Sequence, residues 1–68
     1  MDRDESPEDF LRLPEVMRRT GLSKSEIYRR IKSGRFPTSK RLGHRTAVWV
    51  AGEITNWKRE ILGMELLR

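Results

Sequence analysis

Residues 20–27 read Thr-Gly-Leu-Ser-Lys-Ser-Glu-Ile, which sets a helix stop directly against a helix start. Gly21 suits the left-handed conformation of a helix C-terminal cap, where a side chain would be strained. Two residues on, Ser23 and Glu26 have the S-x-x-E spacing of a capping box, and Leu22 and Ile27 flank it as a hydrophobic staple. A chain punctuated in this way folds as two short helices joined by a tight turn, the helix-turn-helix pattern. Upstream, Pro14 fits a first helical turn while Val16 and Met17 supply an apolar side, which predicts a first helix over 14–20. The second helix is predicted over 24–33, with Gly34 as its C-terminal cap and Pro37 barring any continuation.

Beyond Pro37 the period changes, and 39–42 and 45–49 are predicted to be two short strands about a Gly43-His44 turn. Helical spacing returns with Glu53, Ile54, Trp57, Lys58 and Ile61, where Ile54, Trp57 and Ile61 share one face and Gly63 is the expected stop. Val50, Ala51 and Gly52 offer no Ser, Thr, Asp or Asn to cap this third helix, so its start is unmarked. Residues 1–9, charged and poor in apolar side chains, are expected to be a disordered acidic arm. Residues 10–63 then form the folded domain and 64–68 a short apolar tail. The expected fold class is mostly helical α+β: a winged helix-turn-helix with three short helices and a two-stranded hairpin wing.

These 68 residues have room for one small core. Cysteine is absent and His44 is the one histidine, so neither a disulfide framework nor a Cys/His zinc site can be built. No metal, no organic cofactor and no small-molecule substrate are expected. No apolar run approaches the roughly 20 residues of a membrane helix, and the acidic start lacks the layout of a signal peptide. A soluble, cytoplasmic protein with no membrane partner is therefore expected.

The formal charge is +5, and its placement says more than its sum. Residues 1–11 carry five carboxylates against Arg3 alone, whereas residues 12–50 carry eleven Lys or Arg against only Glu15 and Glu26. A positive block of that density calls for a polyanion. On the second helix, at about 100° per residue, Ile27 and Ile31 fall about 40° apart and with Leu22 define the inward side. Ser25, Arg29 and Lys32 then project outward, Tyr28 lies on one flank, and Lys24 sits in the first turn. Such a face offers Arg and Lys to guanine edges or phosphates and a phenol to the sugar-phosphate chain. Helix N-terminal residues reach bases most easily in this motif, which favours Lys24, Ser25 and Arg29 as readers. A second basic cluster, Lys40, Arg41, His44, Arg45 and Thr46, falls on the predicted hairpin and would act as a wing.

Several residues read more simply. His44 is a turn residue without a second ligand beside it, Ser23 is a cap without a base to activate it, and Trp49, Trp57 and Phe36 are core.

The run from Leu13 to Trp57 resembles the AlpA family of prophage regulators, small winged-helix relatives of phage excisionases. The resemblance rests on Thr20-Gly21-Leu22-Ser23, Ile27-Tyr28, Ile31, Gly34-Arg35-Phe36-Pro37, Leu42-Gly43, Trp49 and Trp57, in order and at family spacing. It implies a MerR-like winged helix-turn-helix, binding to double-stranded DNA, and a role in integrase expression or in directing site-specific recombination. It further implies that the second helix is the recognition helix and Gly43-His44-Arg45 the wing tip. Ala51-Gly52 departs from the family, in which a polar helix start is usual.

The expected function is sequence-specific binding of double-stranded DNA, as a transcriptional regulator or recombination directionality factor, with an integrase or further copies of the chain as partners. The rival is a protein-interaction module whose basic face docks an acidic protein while Met64, Leu66 and Leu67 dock on another chain. An enzyme is not expected, because two carboxylates within the basic block are too few to hold a catalytic Mg²⁺.

Overall fold

Gly21 adopts the left-handed conformation, φ 74°, and its N–H donates to the Met17 carbonyl at 2.8 Å, closing helix α1 (Leu13–Thr20). The Thr20 hydroxyl donates to the Val16 carbonyl and accepts from the Leu22 N–H, which fixes the turn from inside. Helix α2 (Lys24–Lys32) begins where the Ser23 hydroxyl accepts the Glu26 N–H at 3.1 Å. Its far end is a Schellman motif, with Arg35 N–H on the Arg30 carbonyl, Gly34 N–H on the Ile31 carbonyl, and Gly34 at φ 75°. The computed structural model describes residues 5–66, and the side chains of residues 5–63.

The α+β winged helix-turn-helix stands, with changes in its parts. Besides the expected hairpin, strands β2 (Lys40–Arg41) and β3 (Ala47–Val50), a third strand β1 (Phe10–Arg12) pairs antiparallel with the other edge of β3. The sheet order is β1-β3-β2, with Leu11 opposite Trp49 and Arg41 opposite Ala47. Only Leu11 of β1 points inward, so three residues carry too little alternation to announce a strand. The hairpin turn is also wider than Gly43-His44. Residues 42–46 form the loop, closed by Leu42 N–H on the Thr46 carbonyl at 2.9 Å.

The core lies between the sheet and the three helices. Trp49, Ile27, Val16 and Ile54 are almost wholly buried, joined by Leu11, Phe36 and Ala51. Phe36 meets Trp57 edge to face, with ring centroids 4.9 Å apart, and Trp57 donates to the Arg35 carbonyl.

Helix α3 (Ala51–Leu66) follows β3 without a loop, and its missing side-chain cap is replaced by backbone. Ala51 N–H donates to the Asp9 carbonyl at 2.8 Å and Gly52 N–H to the Pro7 carbonyl at 2.7 Å. These bonds satisfy two of the orphan donors of a helix N-terminus. They correct the expectation of a disordered arm over residues 5–9: Asp9 N–H returns to the Ser6 carbonyl and Glu8 N–H to the Ser6 hydroxyl, making a turn. Residues 1–4 lie outside the described residues. The expected stop at Gly63 is corrected too, since Gly63 is not left-handed and the helix passes through it. Of the expected tail, 64–66 are helical and 67–68 lie outside the described residues. Ile61, expected to share one face with Ile54 and Trp57, is exposed, as is Leu62. Among the described residues no helix is long and apolar enough to cross a membrane.

The two glycines of α3 therefore predict opposite outcomes. A Cβ on Gly52 would stand 2.9 Å from the Pro7 carbonyl oxygen and 3.1 Å from Pro7 Cβ, whereas at Gly63 nothing lies within 4 Å. Gly52→Ala should lower stability by about 1–3 kcal/mol, because the arm must move off the helix start. Gly63→Ala should raise it by up to about 1 kcal/mol through helix propensity. Thermal denaturation of the two variants reads both signs, and a stabilised Gly52→Ala would contradict the backbone cap.

Candidate nucleic-acid interface

The inward residues of α2 fix its outward ones. Ile27 is buried, and Leu22 and Ile31 pack against the core. Lys24, Ser25, Tyr28, Arg29 and Lys32 are all exposed. Tyr28 is anchored at one edge, its ring meeting Trp49 at 6.3 Å between centroids and 61° between planes. Trp49 has no exposed surface, and its indole N–H donates to the Pro37 carbonyl at 3.0 Å. One ring thus joins α2, the connection after it, and the central strand that carries the hairpin.

On the hairpin, Lys40, Arg41, His44 and Arg45 are exposed as well. Arg41 Nη1 donates to the His44 carbonyl at 2.7 Å, tying strand to loop and leaving Gly43, His44 and Arg45 at the tip. Lys40 Nζ lies 3.8 Å from a Glu53 carboxylate oxygen on α3. The site residues named from sequence therefore fall into two exposed groups, one on α2 and one on the hairpin, linked through Trp49.

Carboxylates divide the basic residues into two kinds. Arg18 and Arg19 share Glu15, and Arg19 also makes a two-pronged bond to Glu5. The bonds from Arg18, then Arg19, hold the Glu15 carboxyl down to about 2, and Glu5, then Glu15, raise the Arg19 guanidinium. Glu26 binds Arg29 at 2.6 Å and Arg30 at 3.4 Å, and Glu53 faces Lys40. Glu26 thereby departs from the capping box. Ser23 caps the Glu26 N–H as expected, but the carboxylate goes to the two arginines and makes no reciprocal bond to the Ser23 N–H. Arg12, Lys24, Lys32, Arg35, Arg41, Arg45, Lys58 and Arg59 form no ion pair with a described residue. Among the described residues no group of three or more His, Asp or Glu is placed to hold a metal ion.

The family model of the prophage CP4-57 regulatory protein (AlpA) matches residues 9–62. The chain belongs to this family of prophage regulatory proteins. The match starts at Asp9, whose carbonyl caps α3, and takes in α1, α2, the sheet and both basic groups. The uncharacterized protein ORF88 of Enterobacteria phage P4 is 46% identical over 54 residues, 79% of this chain and 61% of that protein. The chain thus spans less than two thirds of that relative's length. No solved structure matches the chain.

Two residues escaped the sequence reading. Arg35 is exposed just after the Gly34 cap, bonded to the Ser33 hydroxyl but to no carboxylate, and its place in the run Gly34-Arg35-Phe36-Pro37 could have marked it. Glu26 was legible as a cap, but its ties to Arg29 and Arg30 follow from i,i+3 and i,i+4 spacing on the same helix face.

The ion pairs on α1 predict a pH dependence. A carboxyl held near 2 rather than at its ordinary 4.5 contributes stability above the ordinary value, and loses it as pH falls towards 2. Glu15→Gln should therefore lower the denaturation midpoint at neutral pH, with the gap to the parent closing between pH 4.5 and 2. Midpoints measured across that range check this, and a gap independent of pH would contradict it.

Proposed function

We propose that the chain binds double-stranded DNA sequence-specifically, with α2 reading the major groove and the hairpin loop acting as a wing. Its role is regulation of a prophage or mobile element, through transcription or the direction of recombination. The observation that carries this reading is the distribution of cations without an ion pair among the described residues: Lys24 and Lys32 on α2, Arg35 after it, and Arg41 and Arg45 on the hairpin, against Arg12 on β1 and Lys58 and Arg59 on α3. Ion pairs occupy Arg18 and Arg19 on α1, so α2, the turn after it and the hairpin hold five of the eight described cations that no carboxylate engages. Lys24 and Ser25 in the first turn and Arg29 further along the same helix serve as base readers, while Tyr28 and Lys32 contact the backbone. Arg45 at the loop tip has the reach and charge to enter a narrow minor groove. Lys40 and Arg41 hold the flanking phosphates, with His44 between them and Arg45.

A single module of this kind covers about 600–1,000 Å², little for one genomic address. Further copies on neighbouring sites, or an integrase, supply the rest, and the exposed Ile61 and Leu62 of α3 offer them an apolar contact.

Duplex affinity should fall with salt, the slope of log K against log salt being about −4 to −5 for four to six neutralised phosphates. Arg41→Ala should weaken all sequences alike and reduce that slope by about 1, whereas Arg29→Ala should lose about 1–3 kcal/mol of discrimination at a guanine. Fluorescence anisotropy with labelled duplexes measures all three. A salt-independent affinity, or equal behaviour of the two variants, would overturn the assignment.

A further inference from the structure

Glu26 is placed where a carboxylate should harm a protein that binds DNA. It sits in the first turn of the helix proposed to enter the groove, and its side chain is 38% exposed. The carboxylate caps no backbone N–H, since the Ser23 hydroxyl takes the Glu26 N–H and the carboxylate turns away along the helix, so its first-turn charge adds only the macrodipole interaction there. One oxygen accepts from Arg29 Nη2 at 2.6 Å and the other from Arg30 Nε at 3.4 Å. The Arg29 side chain is otherwise 68% exposed, with its remaining donors free of any described partner. The bond to Arg29, more than that to Arg30, holds the Glu26 carboxyl below its ordinary range, so it is ionised at neutral pH.

Such a pair treats the two kinds of DNA acceptor differently. A phosphate brought to Arg29 carries a full negative charge up to Glu26, and the repulsion opposes a contact that exists at every sequence. A guanine edge is neutral and presents O6 and N7, so Arg29 can engage it while still bonded to Glu26. The carboxylate also holds the guanidinium in one orientation before DNA arrives, which reduces the ordering lost on binding.

On the reading of α2 as the recognition helix, we propose that Glu26 is a specificity-determining positioning residue. It fixes Arg29 for a base edge and opposes its use on phosphate, giving up affinity to gain discrimination.

Glu26→Gln tests this, because glutamine keeps the length, helix propensity and backbone cap while removing the charge. The probes are a duplex enriched from a random pool by the parent protein and a scrambled duplex of the same composition. At about 0.1 M salt the variant should bind the scrambled duplex about threefold to tenfold more tightly. Its salt slope should steepen by about 1. Affinity for the enriched duplex should change less, so the ratio of the two falls. In an Arg29→Ala background the same substitution should leave that ratio unchanged, which ties the effect to Arg29. Equal tightening on both duplexes would reduce Glu26 to a net-charge effect and overturn the proposal, as would a lower melting temperature with both affinities unchanged. If the parent enriches no duplex or binds neither, the DNA-binding reading itself fails and the proposal falls with it.

Discussion

The buried Trp49 ring is the contact on which the arrangement of this small protein depends. Three segments reach it: β1 through the Leu11 pairing, α2 through Tyr28, and the turn after α2 through the Pro37 carbonyl that accepts its N–H. A tryptophan buried without that acceptor would carry an unsatisfied donor, so the hydrogen bond makes the burial tolerable as well as specific. Truncating such a ring costs about 3–5 kcal/mol, comparable with the whole stability of a domain this size. Because Tyr28 belongs to α2 and Trp49 to the strand that carries the wing, the same contact that holds the core also sets α2 relative to the hairpin.

The parts legible in the sequence were those written in local chemistry. Gly21, Ser23 and Gly34 each mark a helix end by what their own backbone or side chain can do, and each does so in the structure. The buried faces of α1 and α2 followed from spacing, and the nine site residues named on α2 and the hairpin are all exposed. What stayed hidden depends on partners distant in sequence. β1 exists because β3 offers it an edge, and α3 starts at Ala51 because the carbonyls of Pro7 and Asp9 arrive there. Gly52 looked like a missing cap, yet its lack of a side chain is what lets the Pro7 backbone approach. Gly63 misled for the opposite reason, since a glycine stops a helix only where the chain turns left-handed.

Charge is arranged as carefully as packing. The N-terminal arm supplies Glu5 to Arg19 while its backbone caps α3, so one segment both completes a helix and neutralises part of the basic block. Glu15 does the same for Arg18 and Arg19 on α1. Of the eight described cations left without an ion pair, five lie on α2, the turn after it and the hairpin, and three, Arg12, Lys58 and Arg59, on β1 and α3. Membership of a prophage regulatory family gives the surface of those five its context, and the Trp49 ring joins its two parts, α2 and the hairpin.

On the proposed function, α2 and the hairpin loop meet one duplex as a single surface. Backbone amide shifts of the labelled protein, titrated with the duplex it enriches, test this most directly. Amides of residues 24–32 and 43–45 should move along one binding curve while those of Thr55, Lys58 and Arg59, exposed on α3, stay in place. Movement centred on α3 with α2 silent, or separate curves for α2 and the loop, would contradict it.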